Sequence, residues 1–351
     1  MRILFLYKYL TLGGVETVLR ARIRGLARYG IETEAWFLSD GPGRSIFDGI
    51  ESQVKIGSVD ELAEYLRDES FDIVLSLDTE EVFPVVRRLP EGTKFALEVH
   101  TPYPENLEYL RRVEKVSIDA VLVPSEYQIG VVKKYLQREV ECYVAPNPLG
   151  EGFVGDLGEF SPAPVRPVLI WIGRIDQLKN WREFIEIGGV LRTRGMDFEC
   201  WLVGRDTGER GDEKIYTIAN GARMVDRLRW FRGVDYAYMP RFFDAVRTSG
   251  GIVISTSMGD SFGMTIAEGM ARGCAVLVPY EGPFVEFVKN GVHGFSYDVG
   301  NYHDAVEKLK VLLEDDDMRT SYGLAGRESI LESHSPGVAL RAFAEVLRAI
   351  S

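Results

Sequence analysis

MRILFLYKYLTLGGVETVLRARIRGLAR, residues 1–28, carries three structural signals in succession. Residues 3–7 form a short apolar, β-rich run, as expected of a strand buried on both faces. Gly13 and Gly14 then allow a tight turn and a close approach to the backbone. Beyond them Val15, Val18, Leu19, Ile23 and Leu26 recur at helical spacing on one face, with Arg20, Arg24 and Arg28 on the other. Strand, glycine turn and amphipathic helix make one βα unit. Lys8 interrupts the opening apolar run and no small-residue cleavage site follows, so it reads as a first strand rather than a secretory leader.

The same alternation continues along the chain. Strands are expected over residues 33–38, 73–77, 94–99, 120–124 and 141–144, then over 168–172, 199–203, 228–231, 251–255 and 275–278. Between the two sets lies PNPLGEGFVGDLGEFSPAPVRP (146–167), whose proline and glycine density suits an interdomain connection. An amphipathic helix near 338–350 closes the chain. The pattern predicts an α/β protein with two doubly wound, Rossmann-like parallel-sheet domains facing across a cleft. The expected boundaries are 1–150, a linker over 151–166, a second domain over 167–335, and a helix over 336–351 that packs back on the first domain. In open α/β sheets ligands lie beyond the carboxyl ends of the strands.

Composition narrows the class. A chain of 351 residues favours two domains, and 46% apolar with 27% charged residues is the balance of a globular protein. A net charge of −12 argues against a nucleic-acid partner. Cys142, Cys200 and Cys274 show no C-x-x-C spacing and read as reduced thiols, which implies the cytoplasm. No metal pattern appears among His100, His293, His303 and His334, and no apolar run approaches the roughly 20 residues of a membrane span.

Two stretches carry chemistry. WIGRIDQLKNW (171–181) sets Gly173 and Arg174 after a strand and Lys179 at a helix start, an arrangement able to grip an anion. Ordinary surface charges explain it as well. In GDSFGMTIAEGMARG (259–273), Asp260 is expected to N-cap a helix that begins at Ser261, with Gly263 keeping the first turn accessible. Glu268 then sits about 12 Å along the axis from Asp260, at ~1.5 Å per residue, among small and apolar neighbours. A buried carboxylate is costly unless paired. Either Arg272 pairs with it at i+4, or a ligand does.

Together these stretches resemble the retaining, nucleotide-sugar-dependent glycosyltransferases of the GT-B fold often called family 4. The resemblance spans nearly the whole chain: GGVE (13–16), EVHTPY (98–103), VPSEY (123–127), APNPL (145–149), GRIDQLKN (173–180), WLVGRD (201–206), TSMGDSFGMTIAEGMARG (256–273) and GPFVEFVKNGVHGF (282–295) follow in the family's order. It implies that Arg174 and Lys179 hold the donor diphosphate, with Gly173 at that turn and Gly13 and Gly14 near the phosphates. Glu268 would bind the ribose hydroxyls. Asp260, with the backbone N–H groups of Phe262, Gly263 and Met264, would meet the donor sugar, and His100 would sit beside it. Asp260 stands where the family usually has glutamate, and Asn180 where it commonly has glycine.

The implied activity is hexosyl transfer from a nucleotide-sugar, UDP- or GDP-linked, to a saccharide or lipid-linked acceptor hydroxyl. Anomeric configuration is retained, and no metal and no separate cofactor take part. Closure of the two domains would exclude water. The alternatives are a GT-B phosphorylase or epimerase, or a catalytically silent partner subunit. Arg20, Arg22, Arg24 and Arg28, with Arg111, Arg112 and Lys115, could hold the protein peripherally on the inner membrane face. A solvated helix face is the favoured reading of these residues. The acidic run at 314–317 reads as a solvated helix end.

Overall fold

The computed structural model describes residues 1–11, 13–205 and 211–351, with backbone alone at 114, 115 and 211–213. The chain divides into two units, one of Met1–Gly150 with His334–Ser351 and one of Glu151–Ser333.

The first unit is built on β1 (Arg2–Tyr9), β2 (Glu32–Ser39), β3 (Val54–Ile56), β4 (Ile73–Leu77), β5 (Lys94–Glu98), β6 (Ala120–Val123) and β7 (Cys142–Val144). Its sheet order is β3-β2-β1-β4-β5-β6-β7, parallel throughout. The second carries β8 (Val168–Ile172), β9 (Glu199–Val203), β10 (Leu228–Phe231), β11 (Ile252–Ile254), β12 (Ala275–Pro279) and β13 (Gly294–Tyr297). Its order is β10-β9-β8-β11-β12-β13, again parallel. Both are doubly wound α/β sheets. Winding reverses between β1 and β4 in one unit and between β8 and β11 in the other, and such reversals leave a crevice at the strand ends.

Helices cover both faces of each sheet, which is why strands such as Ile73–Leu77 are buried at every position. One layer over the first sheet joins Phe5, Leu19, Ile23 and Leu75 to Leu340, Phe343 and Leu347 of the last helix, Pro336–Ile350. That helix crosses Gly14–Gly25 so closely that a Cβ at Gly25 would collide with the Leu340 side chain.

Several expectations need correction. Two short strands escaped the sequence pattern, β3 with three residues and β13 with four. β13 begins at Gly294, where φ is +155° and a Cβ would overlap the Val276 carbonyl, so its first residue carries no strand-like side chain. Residues 151–166 belong to the second unit rather than to a free linker. Phe153 packs on Tyr236 and Phe243, and Arg272 donates to the Gly155 and Asp156 carbonyls at 3.1 and 2.9 Å. Arg22 is not part of a surface patch, being fully buried. Arg111 and Arg112 are paired to Glu108 and Glu80. Among the described residues no helix is long and apolar enough to cross a membrane. The three cysteines are free thiols.

Candidate active site

In the second unit the loop after β8 and the loop after β11 are stitched together. The Thr256 hydroxyl accepts from the Trp171 indole N–H at 3.0 Å and donates to the Asn180 carbonyl at 2.8 Å. The Met258 N–H donates to the Leu178 carbonyl at 2.8 Å, and the Ser257 hydroxyl to that of Gly259 at 2.7 Å. These bonds carry Lys179 to Asp260: Nζ and Oδ2 are 2.7 Å apart, with both side chains less than one-fifth exposed.

Asp176 organises the other side of the turn. It accepts the Lys179 backbone N–H at 2.9 Å, and its second oxygen lies 3.5 Å from Arg174 Nε. Gly173 lies against the Trp171 indole, which a Cβ would strike. Asn180 adopts φ +52°, ψ +43° just before the helix Trp181–Thr193, with its amide donating to Glu183 at 2.6 Å. That left-handed conformation explains the departure from glycine, because asparagine is the other residue that visits it readily.

The expected cap at Asp260 is not formed. The helix is Met264–Ala271, preceded by Gly263 at φ +98°, and Asp260 turns to Lys179 and the Ser261 N–H instead. Residues 260–263 are therefore not helical, and the 12 Å spacing from Asp260 to Glu268 does not apply. At Gly263 a Cβ would also collide with the Phe284 ring. Phe262 is buried, its ring 5.0 Å from that of Phe287. In the first turn the Ile266 and Ala267 N–H groups donate to the Gly263 carbonyl at 3.0 and 3.2 Å.

Glu268 is buried, and among the described residues no arginine pairs with it. Arg272 lies instead on Asp244, with three contacts of 2.8–3.0 Å. Glu268 Oε1 accepts one hydrogen bond, from the Tyr236 hydroxyl at 2.8 Å. Burial pushes its carboxyl up to about 8, against the pull of that bond. Tyr236 was not foreseen, because only the fold brings the turn after β10 to this helix.

In the first unit the glycine turn sits at the end of β1. Gly13 is extended (φ −129°) before the helix Gly14–Gly25, and a Cβ there would meet Glu16 Oε2 at 2.8 Å, while one at Gly14 would enter open space. Glu16 is buried and accepts the Thr11 N–H and hydroxyl at 2.6 and 2.5 Å. His100 follows β5, its side chain 8% exposed, with Nε2 2.8 Å from Glu98 Oε1. Its backbone N–H donates to Asp78 at 3.0 Å. Glu98 and its partner Arg22 were missed, since both read as ordinary charges.

The expected motif residue Asp206 lies outside the described residues, as do the side-chain contacts of Lys115. Among the described residues no three His, Cys, Asp or Glu side chains are grouped to hold a metal ion. The acidic run 314–317 is exposed, and Asp315 accepts the Met318 N–H at 2.8 Å.

The family described as Glycosyl transferases group 1 matches residues 160–329, which lie within the second unit. A trehalose synthase from Pyrococcus horikoshii is 23% identical over 366 residues, covering 91% of this chain and 82% of that protein. A sucrose synthase from Acidithiobacillus caldus is 25% identical over 227 residues, covering 62% of this chain and 28% of that longer protein. Among solved structures, Anabaena Alr3699/HepE in complex with UDP and glucose superposes with a TM-score of 0.83 at 16% identity, covering 99% of this chain and all of that one. The fold is GT-B.

Proposed function

We propose that the chain is a retaining, metal-independent glycosyltransferase that moves a hexosyl group from a nucleotide-sugar to an acceptor hydroxyl. The observation that carries this reading is the pairing pattern in the second unit: a buried Glu268 held by a phenol rather than a cation, in the same unit as a Lys179–Asp260 pair at a switch-point loop. A carboxylate with unused acceptor capacity suits a ribose diol. Lys179 and Arg174 suit a diphosphate, which gathers charge as the glycosidic bond breaks, so preset cations stabilise the transition state. Asp260 keeps Lys179 in place before the donor arrives. The HepE complexes with UDP favour a uridine nucleotide as the donor carrier.

Asp260, the acid at this loop, is already engaged as the counter-ion of Lys179. The departing phosphate oxygen then takes the acceptor proton on the face where the new bond forms, which retains configuration. The test is release of free nucleoside diphosphate from UDP-sugars when saccharide or lipid-linked acceptors are added, with and without excess chelator. Acceptor-dependent release that survives chelation, with a product of unchanged anomeric configuration, supports the reading. Loss of activity in chelator overturns its metal-free part, and donor binding without transfer to any acceptor leaves a binding subunit.

A further inference from the structure

The first unit contains a buried charge line that the donor-binding reading does not use. Arg22 is fully buried in the helix Gly14–Gly25 and its Nη1 meets both Glu98 oxygens at 2.6 and 2.7 Å. Glu98 Oε1 also contacts His100 Nε2 at 2.8 Å. The opposite side of Arg22 is closed by the last helix, with the guanidinium carbon 3.8 Å from the centre of the Phe343 ring. Among the described residues Arg22 Nε and Nη2 are buried without a hydrogen-bond partner. So much buried polarity is expensive, and a purely structural role would be served as well by apolar residues.

We propose that Arg22 and Glu98 are positioning residues that hold His100 as the Nε2–H tautomer, leaving Nδ1 to accept a hydrogen bond from the sugar. The inference rests on the reading that His100 meets the donor sugar. An ionised carboxylate only accepts, so the nitrogen facing it must carry the proton. Arg22 supplies a full positive charge at the far side of the same carboxylate. The other acid near the ring is Asp78, with Tyr109 behind it at 3.5 Å. Phe343 presses Arg22 onto Glu98, so the last helix reaches the histidine through two side chains.

Histidine-selective nitrogen spectra of the full chain, with His100 assigned by His100→Gln, test this directly. The wild-type protein should show a protonated Nε2 and a pyridine-type Nδ1. In Glu98→Gln, Arg22 can only donate and so takes the amide oxygen, turning the NH2 toward His100 and reversing the tautomer. Turnover should then fall on the order of 10²–10⁴-fold, the scale of a histidine held in the wrong tautomer, with the donor KM little changed. A wild-type ring protonated at Nδ1 overturns the assignment whether or not the variant folds. A folded Glu98→Gln with a reversed ring and normal turnover overturns the role. A chain that transfers no sugar fails the functional reading and the role with it, while the wild-type spectrum still judges the tautomer by itself.

Discussion

Glu268→Gln keeps the volume of the side chain and an acceptor for Tyr236, and removes only the charge. Burial holds the Glu268 carboxyl at about 8 in the folded chain, against 4.5 for an ordinary glutamate. The sign follows from linkage. Below pH 4.5 the acid is protonated in both states and costs nothing. Between 4.5 and about 8 only the unfolded chain ionises, so stability falls as pH rises, and above 8 the loss is complete. At 1.36 kcal/mol per pH unit the loss is less than about 1 kcal/mol at pH 5, about 3 kcal/mol at pH 7 and about 5 kcal/mol at pH 9. Glutamine carries none of it. The variant should therefore be more stable than wild type by about these amounts. Urea titrations followed by tryptophan fluorescence read this out, since Trp171, Trp181, Trp201 and Trp230 lie in the second unit and only Trp36 lies in the first. The same variant should bind nucleoside diphosphate about 10–100-fold more weakly, a lost charged hydrogen bond being worth about 1.5–3 kcal/mol. A variant destabilised at pH 7, or one whose gain does not grow from pH 5 to pH 7, refutes the reasoning.

Other outcomes follow from the same contacts. If ribose hydroxyls donate to an ionised Glu268, calorimetric affinity for UDP should rise about fivefold between pH 7 and pH 8 and level off above it. In Glu268→Gln that rise should vanish, and the window lies above phosphate ionisation near ~6. Lys179→Ala should lower turnover on the order of 10²–10³-fold. Its unfolding free energy should change by less than about 1 kcal/mol, because the Asp260 pair is partly solvated. Arg272→Met should cost up to about 3–5 kcal/mol by leaving the buried Asp244 with Arg247 alone, 3.9 Å away. Its folded fraction should still bind nucleotide like wild type, and thermal unfolding with calorimetry separates the two effects. Gly263→Ala should destabilise by at least about 1–3 kcal/mol from its left-handed backbone alone, more once Phe284 is displaced, and circular dichroism on heating checks this.

The sheets were legible because each long strand is an apolar run bounded by turn residues. Ile73–Leu77, Val168–Ile172 and Leu228–Phe231 fall where the pattern sets them. β3 and β13 were not, since three or four residues carry too little periodicity. The helix around Glu268 shows the limit on capping. Asp260 before a helical run satisfies the usual rule, yet Lys179 competes for it across 81 residues of sequence, and Gly263 starts the helix instead. The alternative of Glu268 pairing with Arg272 failed for a similar reason. Local spacing offered an i+4 partner, but Asp244 and two loop carbonyls take the guanidinium. Tyr236, Arg22 and Glu98 were illegible because their significance lies in partners distant in sequence.

How the chain answers its buried acids separates structure from chemistry. Glu98 receives Arg22 and is held down at about 2, against the pull of burial. Asp244 receives Arg272. Glu183 accepts the Asn180 amide and the Gly300 N–H, and Glu16 accepts two donors from Thr11. Each has either a cation or two donors. Among the described residues Glu268 has one neutral donor and a carboxyl near 8, while Arg272, four residues away, is committed to Asp244. A fold under selection for stability alone would replace the acid. Keeping it lowers stability by about 3 kcal/mol at pH 7, a penalty of the size that any ligand at a hundredfold excess over its dissociation constant recovers, about 2.7 kcal/mol.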